Sequence, residues 1–115
     1  MSQGDQERRV HERFRPPQGL VVEGPDFKYI VQDVSVSGMA FNTNNKIAGG
    51  QMLDISWGDS VRMRGEVLHA RKLLFDSTFV EMQHSVHCKF DQVIQQSDIE
   101  DLFANLNSLQ VAVSN

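Results

Sequence analysis

Leu53-Asp54-Ile55-Ser56-Trp57-Gly58-Asp59-Ser60-Val61-Arg62-Met63-Arg64-Gly65-Glu66-Val67 is the stretch that decides the fold. Leu53, Ile55 and Trp57 alternate with Asp54 and Ser56, a period of two that sends one set of side chains to a core and the other to water. Gly58-Asp59 supplies a turn. Beyond it Val61, Met63 and Val67 face one way, and Arg62, Arg64 and Glu66 the other. This pattern predicts two half-buried strands, with Trp57 in the core set and not serving as a stacking platform.

The same period extends outward from this pair. Leu20 and Val22 alternate ahead of the turn residues Gly24-Pro25-Asp26, and Phe27 to Val36 is rich in β-branched and aromatic residues. Met39 and Phe41 alternate before the polar run Asn42 to Asn45, and Val80 with Met82 marks one more strand. Six short strands at this spacing predict an all-β, six-stranded antiparallel β-barrel or sandwich. The end of the chain changes period. Ser97 and Glu100 read as a capping box, and Ile99, Leu102, Phe103, Leu106 and Leu109 recur at helical steps. A C-terminal helix covering an open barrel end follows, its stripe reading as core or as a dimer contact, so monomer and homodimer both stay open. His84 to Gln96 is ambiguous, with Phe90, Val93 and Ile94 able to begin an earlier helical turn.

A chain of 115 residues with 40% hydrophobic and 23% charged residues is one compact domain with enough length for its own core. No run approaches the roughly 20 apolar residues that cross a bilayer. The polar stretch from Ser2 to Arg9 is unlike a secretory signal, and the lone cysteine, Cys88, excludes an internal disulfide framework. The expected compartment is the cytoplasm. Net charge is −4, yet Arg8, Arg9, Arg13 and Arg15 sit in one short stretch. An acidic molecule with one basic arm suits a small anionic ligand better than a long nucleic acid. Residues 1–17 lack periodicity and end in Pro16-Pro17, so they are expected to be a flexible arm, with residues 18–115 forming the barrel and helix.

Two features carry chemistry. In the arm, guanidinium groups stay charged at physiological pH, and their planar forks match phosphate oxygens and the O6/N7 edge of guanine. The alternative is a solvated basic tail. The second feature is Asp33-Val34-Ser35-Val36-Ser37-Gly38. Asp33 and Ser35 lie two apart and project from one face of an extended chain, while Gly38 allows a tight turn or a close backbone approach. Asp accepts from amino and imino donors, and Ser donates to a phosphate or base. The alternative is a hairpin whose Asp and Ser satisfy their own turn.

Arg9 to Arg13, spaced Arg-x-x-x-Arg, followed by Asp33, Ser35 and Gly38, spaced Asp-x-Ser-x-x-Gly, resembles the signature of the PilZ family, over about residues 7 to 107. The resemblance implies a receptor for cyclic di-GMP. Carried over by position, Arg9 and Arg13 would clamp the ligand from the arm, with Asp33, Ser35 and Gly38 lining the barrel side. Arg8 directly precedes the motif, where the family associates an arginine with a stacked pair of ligand molecules. Two departures stand out: Val80-Glu81-Met82 replaces a Val-x-Phe-like strand ending, and His84, His87 and Cys88 follow where the family pattern has no such run.

Other chemistries are set aside. His84, His87 and Cys88 offer zinc-type ligands but lack a fourth with recognisable spacing, so no metal is expected and they read as exposed or partly packed loop residues. Ser35 lacks the Gly-x-Ser-x-Gly elbow, and Asp33 beside it cannot orient a distant imidazole. No phosphate-binding Gly-x-x-x-x-Gly-Lys loop is present, and no catalytic residue is assigned. The expected protein is therefore a non-enzymatic sensor whose arm closes over cyclic di-GMP and signals to a protein partner. The alternatives are a protein–protein adaptor of the same fold that does not bind nucleotide, and a small barrel binding single-stranded nucleic acid through the arm.

Overall fold

The computed structural model describes residues 11–17, 21–24, 27–73 and 83–114. Seven strands are found there: β1 (Val21–Glu23), β2 (Lys28–Ser35), β3 (Gly38–Thr43), β4 (Met52–Trp57), β5 (Val61–Lys72), β6 (His84–Phe90) and β7 (Gln110–Val113). They form one antiparallel sheet in the order β1-β2-β3-β6-β5-β4-β7. Helix α1 (Gln96–Ala104) and a 3₁₀ turn (Leu106–Ser108) precede β7. The sheet curls until its edges approach. The buried Tyr29 hydroxyl of β2 donates to the Leu109 carbonyl at 2.8 Å, just ahead of β7.

The all-β fold with a C-terminal helix matches the alternation, and the β4–β5 hairpin pairs Trp57 with Val61 across the turn at Gly58, whose φ of +61° suits glycine. Inside the curl, Tyr29, Phe41, Leu53, Ile55 and Trp57 are all but fully buried, and Tyr29 meets Phe41 edge-on at 5.9 Å. From α1, Ile99 and Leu102 drop into this same core. The Trp57 indole N–H donates to the Asp98 carbonyl at 2.9 Å, tying the start of α1 to the end of β4.

Several expectations are corrected. His84 to Cys88 is no loop but the first part of β6, in which Val86, Cys88 and Phe90 point inward and His87 and Lys89 outward. Phe90 therefore ends a strand instead of opening a helical turn. The helix starts earlier than Ser97: the Gln95 backbone N–H donates to the Asp98 carboxylate at 2.9 Å, so Gln95 and Asp98 form the box in place of Ser97 and Glu100. It also stops sooner. Asn105 leaves helical geometry at φ −150°, ψ 73°, so Leu106 falls in the 3₁₀ turn and Leu109 leads into β7, which pairs with β4. The expected strand at Val80 and Met82 lies outside the described residues.

Candidate functional site

Two single-residue bulges prepare the outer face of the sheet. In β2 the pairing with β3 runs Val31 to Phe41 and then Asp33 to Ala40, leaving Gln32 as the extra residue. A strict alternation would place Asp33 on the core face with Tyr29 and Val31; the bulge turns it outward. In β5 the partners run Val67 to Cys88 and then His69 to His87, leaving Leu68 extra, half exposed at 50%. The bulge likewise turns His69 away from the core that Val67 faces.

The ladders then set three rows across β2, β3, β6 and β5. Ser35, Gly38, Lys89 and Glu66 form one row; Asp33, Ala40, His87 and His69 the next; Ile30, Asn42, Ser85 and Arg71 the third. The imidazoles of His69 and His87 meet edge-on, with ring centroids 6.5 Å apart. Beside them lies a groove of about 560 Å³ lined by Leu68, His69, Arg71, Ser85 and His87 among others. That volume falls within the range typical of small-ligand sites, roughly 300–1,000 Å³.

The described part of the arm lies along β2. Phe14 exchanges both backbone hydrogen bonds with Val34, each 2.8 Å, and its ring packs against the core. With Phe14 turned inward, Arg13 is turned outward, and its guanidinium reaches the Asp33 carboxylate at 2.5 Å. Both partners retain solvent access, so the pair contributes only about 0.2–1 kcal/mol to stability. Next to it, His11 Nδ1 lies 2.9 Å from the Ser37 hydroxyl, and the Ser35 and Ser37 hydroxyls lie 3.2 Å apart. The Ser37 backbone N–H also donates to Ser35 Oγ at 3.3 Å, and Ser35 is 2% exposed.

The structure thus brings together Arg13 and Asp33, residues separated by 20 positions. Ser35 stands in the neighbouring row, its hydroxyl engaged in the β2–β3 turn. Gly38 is explained by its neighbour: a Cβ there would come within 2.5 Å of the Cys88 carbonyl oxygen on β6. Of the close-approach and tight-turn readings of this glycine, close approach is the one found. Arg8 and Arg9 lie outside the described residues. Sequence reasoning missed His11 and Ser37, although one lies between the two motif arginines and the other inside the Asp-x-Ser-x-x-Gly span. It also missed His69, Arg71 and Ser85, which become neighbours of His87 only through the β5–β6 register.

Electrostatically the face is mixed. His87 reaches solvent, yet its pKa is lowered, first by partial desolvation; Asp33 works against this, and Arg13, His69 and Arg71 add to it. On the core side of the same strand, burial pushes the Cys88 thiol up to about 12. Among the described residues no group of three or more His, Cys, Asp or Glu side chains is placed to hold a metal ion. Nor is any helix there long and apolar enough to cross a membrane.

No curated protein and no solved structure matches the chain. The model of the PilZ domain matches residues 6–107, a span that holds all three outer rows, the helix and the described part of the arm. With the match covering most of its length, the chain belongs to the PilZ domain family.

Proposed function

We propose that this protein is a cytoplasmic, non-enzymatic receptor for cyclic di-GMP, gripped between the arm and the outer face of β2 and β3. One observation carries the reading: the Arg13 guanidinium and the Asp33 carboxylate, one from each half of the family signature, meet on the same outer face. The ligand is a dianion with two guanines. Fixed guanidinium groups suit its phosphates and guanine edges, and a carboxylate accepts from guanine imino and amino groups. Arg9 joins Arg13 in the clamp, and Arg8 supplies the further cation that a stacked pair of ligand molecules requires. Asp33 gives up or shares Arg13 as the ligand enters, while Ser35 and Gly38 keep the turn beneath it in shape. Closure of the arm then creates a surface for a downstream protein.

Titration with cyclic di-GMP tests this. The wild type is expected to bind, and an Arg9→Ala, Arg13→Ala double variant to bind far more weakly; identical behaviour of the two would show the site to be wrongly placed. Calorimetric stoichiometry of two per chain supports the role given to Arg8, and one per chain removes it. The engagement of Ser35 within its own turn favours a second reading, an adaptor of the same fold that takes no nucleotide. Absence of binding by the wild type, in equilibrium dialysis as well as in calorimetry, removes the receptor reading and favours the adaptor.

A further inference from the structure

We propose that His69 and His87 form a proton-accepting subsite for the phosphodiester charge, so that the ligand binds together with a proton. The inference rests on the receptor reading above and adds a regulated property to it. Its first support is placement. Asp33, Ala40, His87 and His69 stand in one row, so the imidazole pair faces the Asp33–Arg13 corner across a single small residue. The groove beyond is lined by both imidazoles together with Arg71 and Ser85. A dinucleotide laid from the corner along this row reaches the pair.

The second support is charge. Among the described residues, the charged groups facing the imidazoles are Asp33 from β2, Arg13 from the arm, and Arg71 from β5, with Lys89 and Glu66 one row away on β6 and β5. Two arginines next to two imidazoles make a poor cation site and a good anion site. In the free protein partial desolvation, with the same arginines adding to it and Asp33 opposing, holds the His87 proton affinity below the ordinary histidine value. A phosphodiester dianion reverses the balance, since it neutralises Arg13 and Arg71 and attracts imidazolium directly. The two rings lie close enough that the first proton opposes a second, so uptake amounts to no more than about one proton per ligand. Linkage is reciprocal: if the ligand raises the proton affinity, protons raise the ligand affinity. Binding therefore tightens as pH falls through the histidine range.

The test is calorimetry of the full chain with cyclic di-GMP at about pH 6.5, where histidine titrates. Two buffers of unlike ionisation heat, phosphate and Bis-Tris, are compared, and the affinity is followed against pH. Wild type is expected to give buffer-dependent heat corresponding to proton uptake, with Kd falling by up to about tenfold per pH unit on acidification. A His69→Gln, His87→Gln variant, shown by its thermal melt to be folded, is expected to bind more weakly, with heat independent of buffer and Kd flat with pH. His11→Gln, whatever it does to affinity, is expected to retain the uptake. Binding by wild type with identical heats in both buffers overturns this inference alone. So does uptake that survives the double substitution or disappears in His11→Gln. No binding by wild type at any pH overturns the receptor reading with it.

Discussion

Replacing Gly38 by alanine probes a motif position at which the backbone of β6 approaches closely. The added Cβ would stand 2.5 Å from the Cys88 carbonyl oxygen, about 0.9 Å short of an ordinary contact. Relief has to come from backbone on both sides. Phe90 N–H donates to the Ser37 carbonyl at 2.8 Å and Ile94 N–H to the Val36 carbonyl at 2.9 Å, so the β2–β3 turn is clamped to β6 and the chain after it. Overpacking of this kind costs about 1–3 kcal/mol. For a chain of 115 residues the unfolding entropy is roughly 0.24 kcal/mol per kelvin, which converts the cost to a fall in Tm of about 4–12 °C. Thermal denaturation followed by circular dichroism measures it. An unchanged Tm, accompanied by collapse of cyclic di-GMP affinity, would refute the reasoning: the glycine would then be making room for ligand and not for β6.

Three further outcomes are expected. Arg13→Ala should lower stability by at most about 1 kcal/mol, because the Asp33 pair is solvent-accessible. Its cyclic di-GMP affinity should fall about 10- to 150-fold for the loss of a charge-assisted hydrogen bond, and a large Tm loss with unaltered affinity would make the residue purely structural. Tyr29→Phe leaves the Leu109 carbonyl without its 2.8 Å donor in the core, so the urea midpoint should drop by the equivalent of about 1–2 kcal/mol with an unchanged slope; an unmoved midpoint refutes this. Cys88 ionises from an ordinary value near 9 in the unfolded chain but only near 12 when folded, so stability is retained below pH 9 and declines as pH rises between those values. Native protein near pH 8 should accordingly resist maleimide until urea is added, and prompt labelling without urea contradicts the burial.

How much of this was legible in the sequence depends on whether the signal was local. The β4–β5 hairpin was, because alternation and a turn suffice to define it. Arg13 and Asp33 could be joined through the family signature, since no local pattern brings together residues 20 positions apart. β6 is not singled out by the sequence although Val86, Cys88 and Phe90 alternate faultlessly with His87 and Lys89, because Phe90, Val93 and Ile94 also fit a helical turn and leave the segment ambiguous. β7 was lost because Leu106 and Leu109 continue the helical spacing of α1, while the break comes from the backbone of Asn105. Neither bulge carries a glycine or proline to announce it. The extra residues are Gln32 and Leu68, and only pairing with a neighbouring strand reveals that Asp33 and His69 face outward.

Phe14 gives the arm a mechanical property. Its backbone is stitched to Val34 in both directions while its partly buried ring packs against the core side chains. Pulling the segment off β2 therefore means lifting that ring from the core and opening two backbone hydrogen bonds at once, whereas among the described residues ahead of Phe14 the contacts to β2 and its turn are those of Arg13 and His11. Under the proposed closure of the arm, Phe14 is therefore the point at which the described segment stays tied to β2.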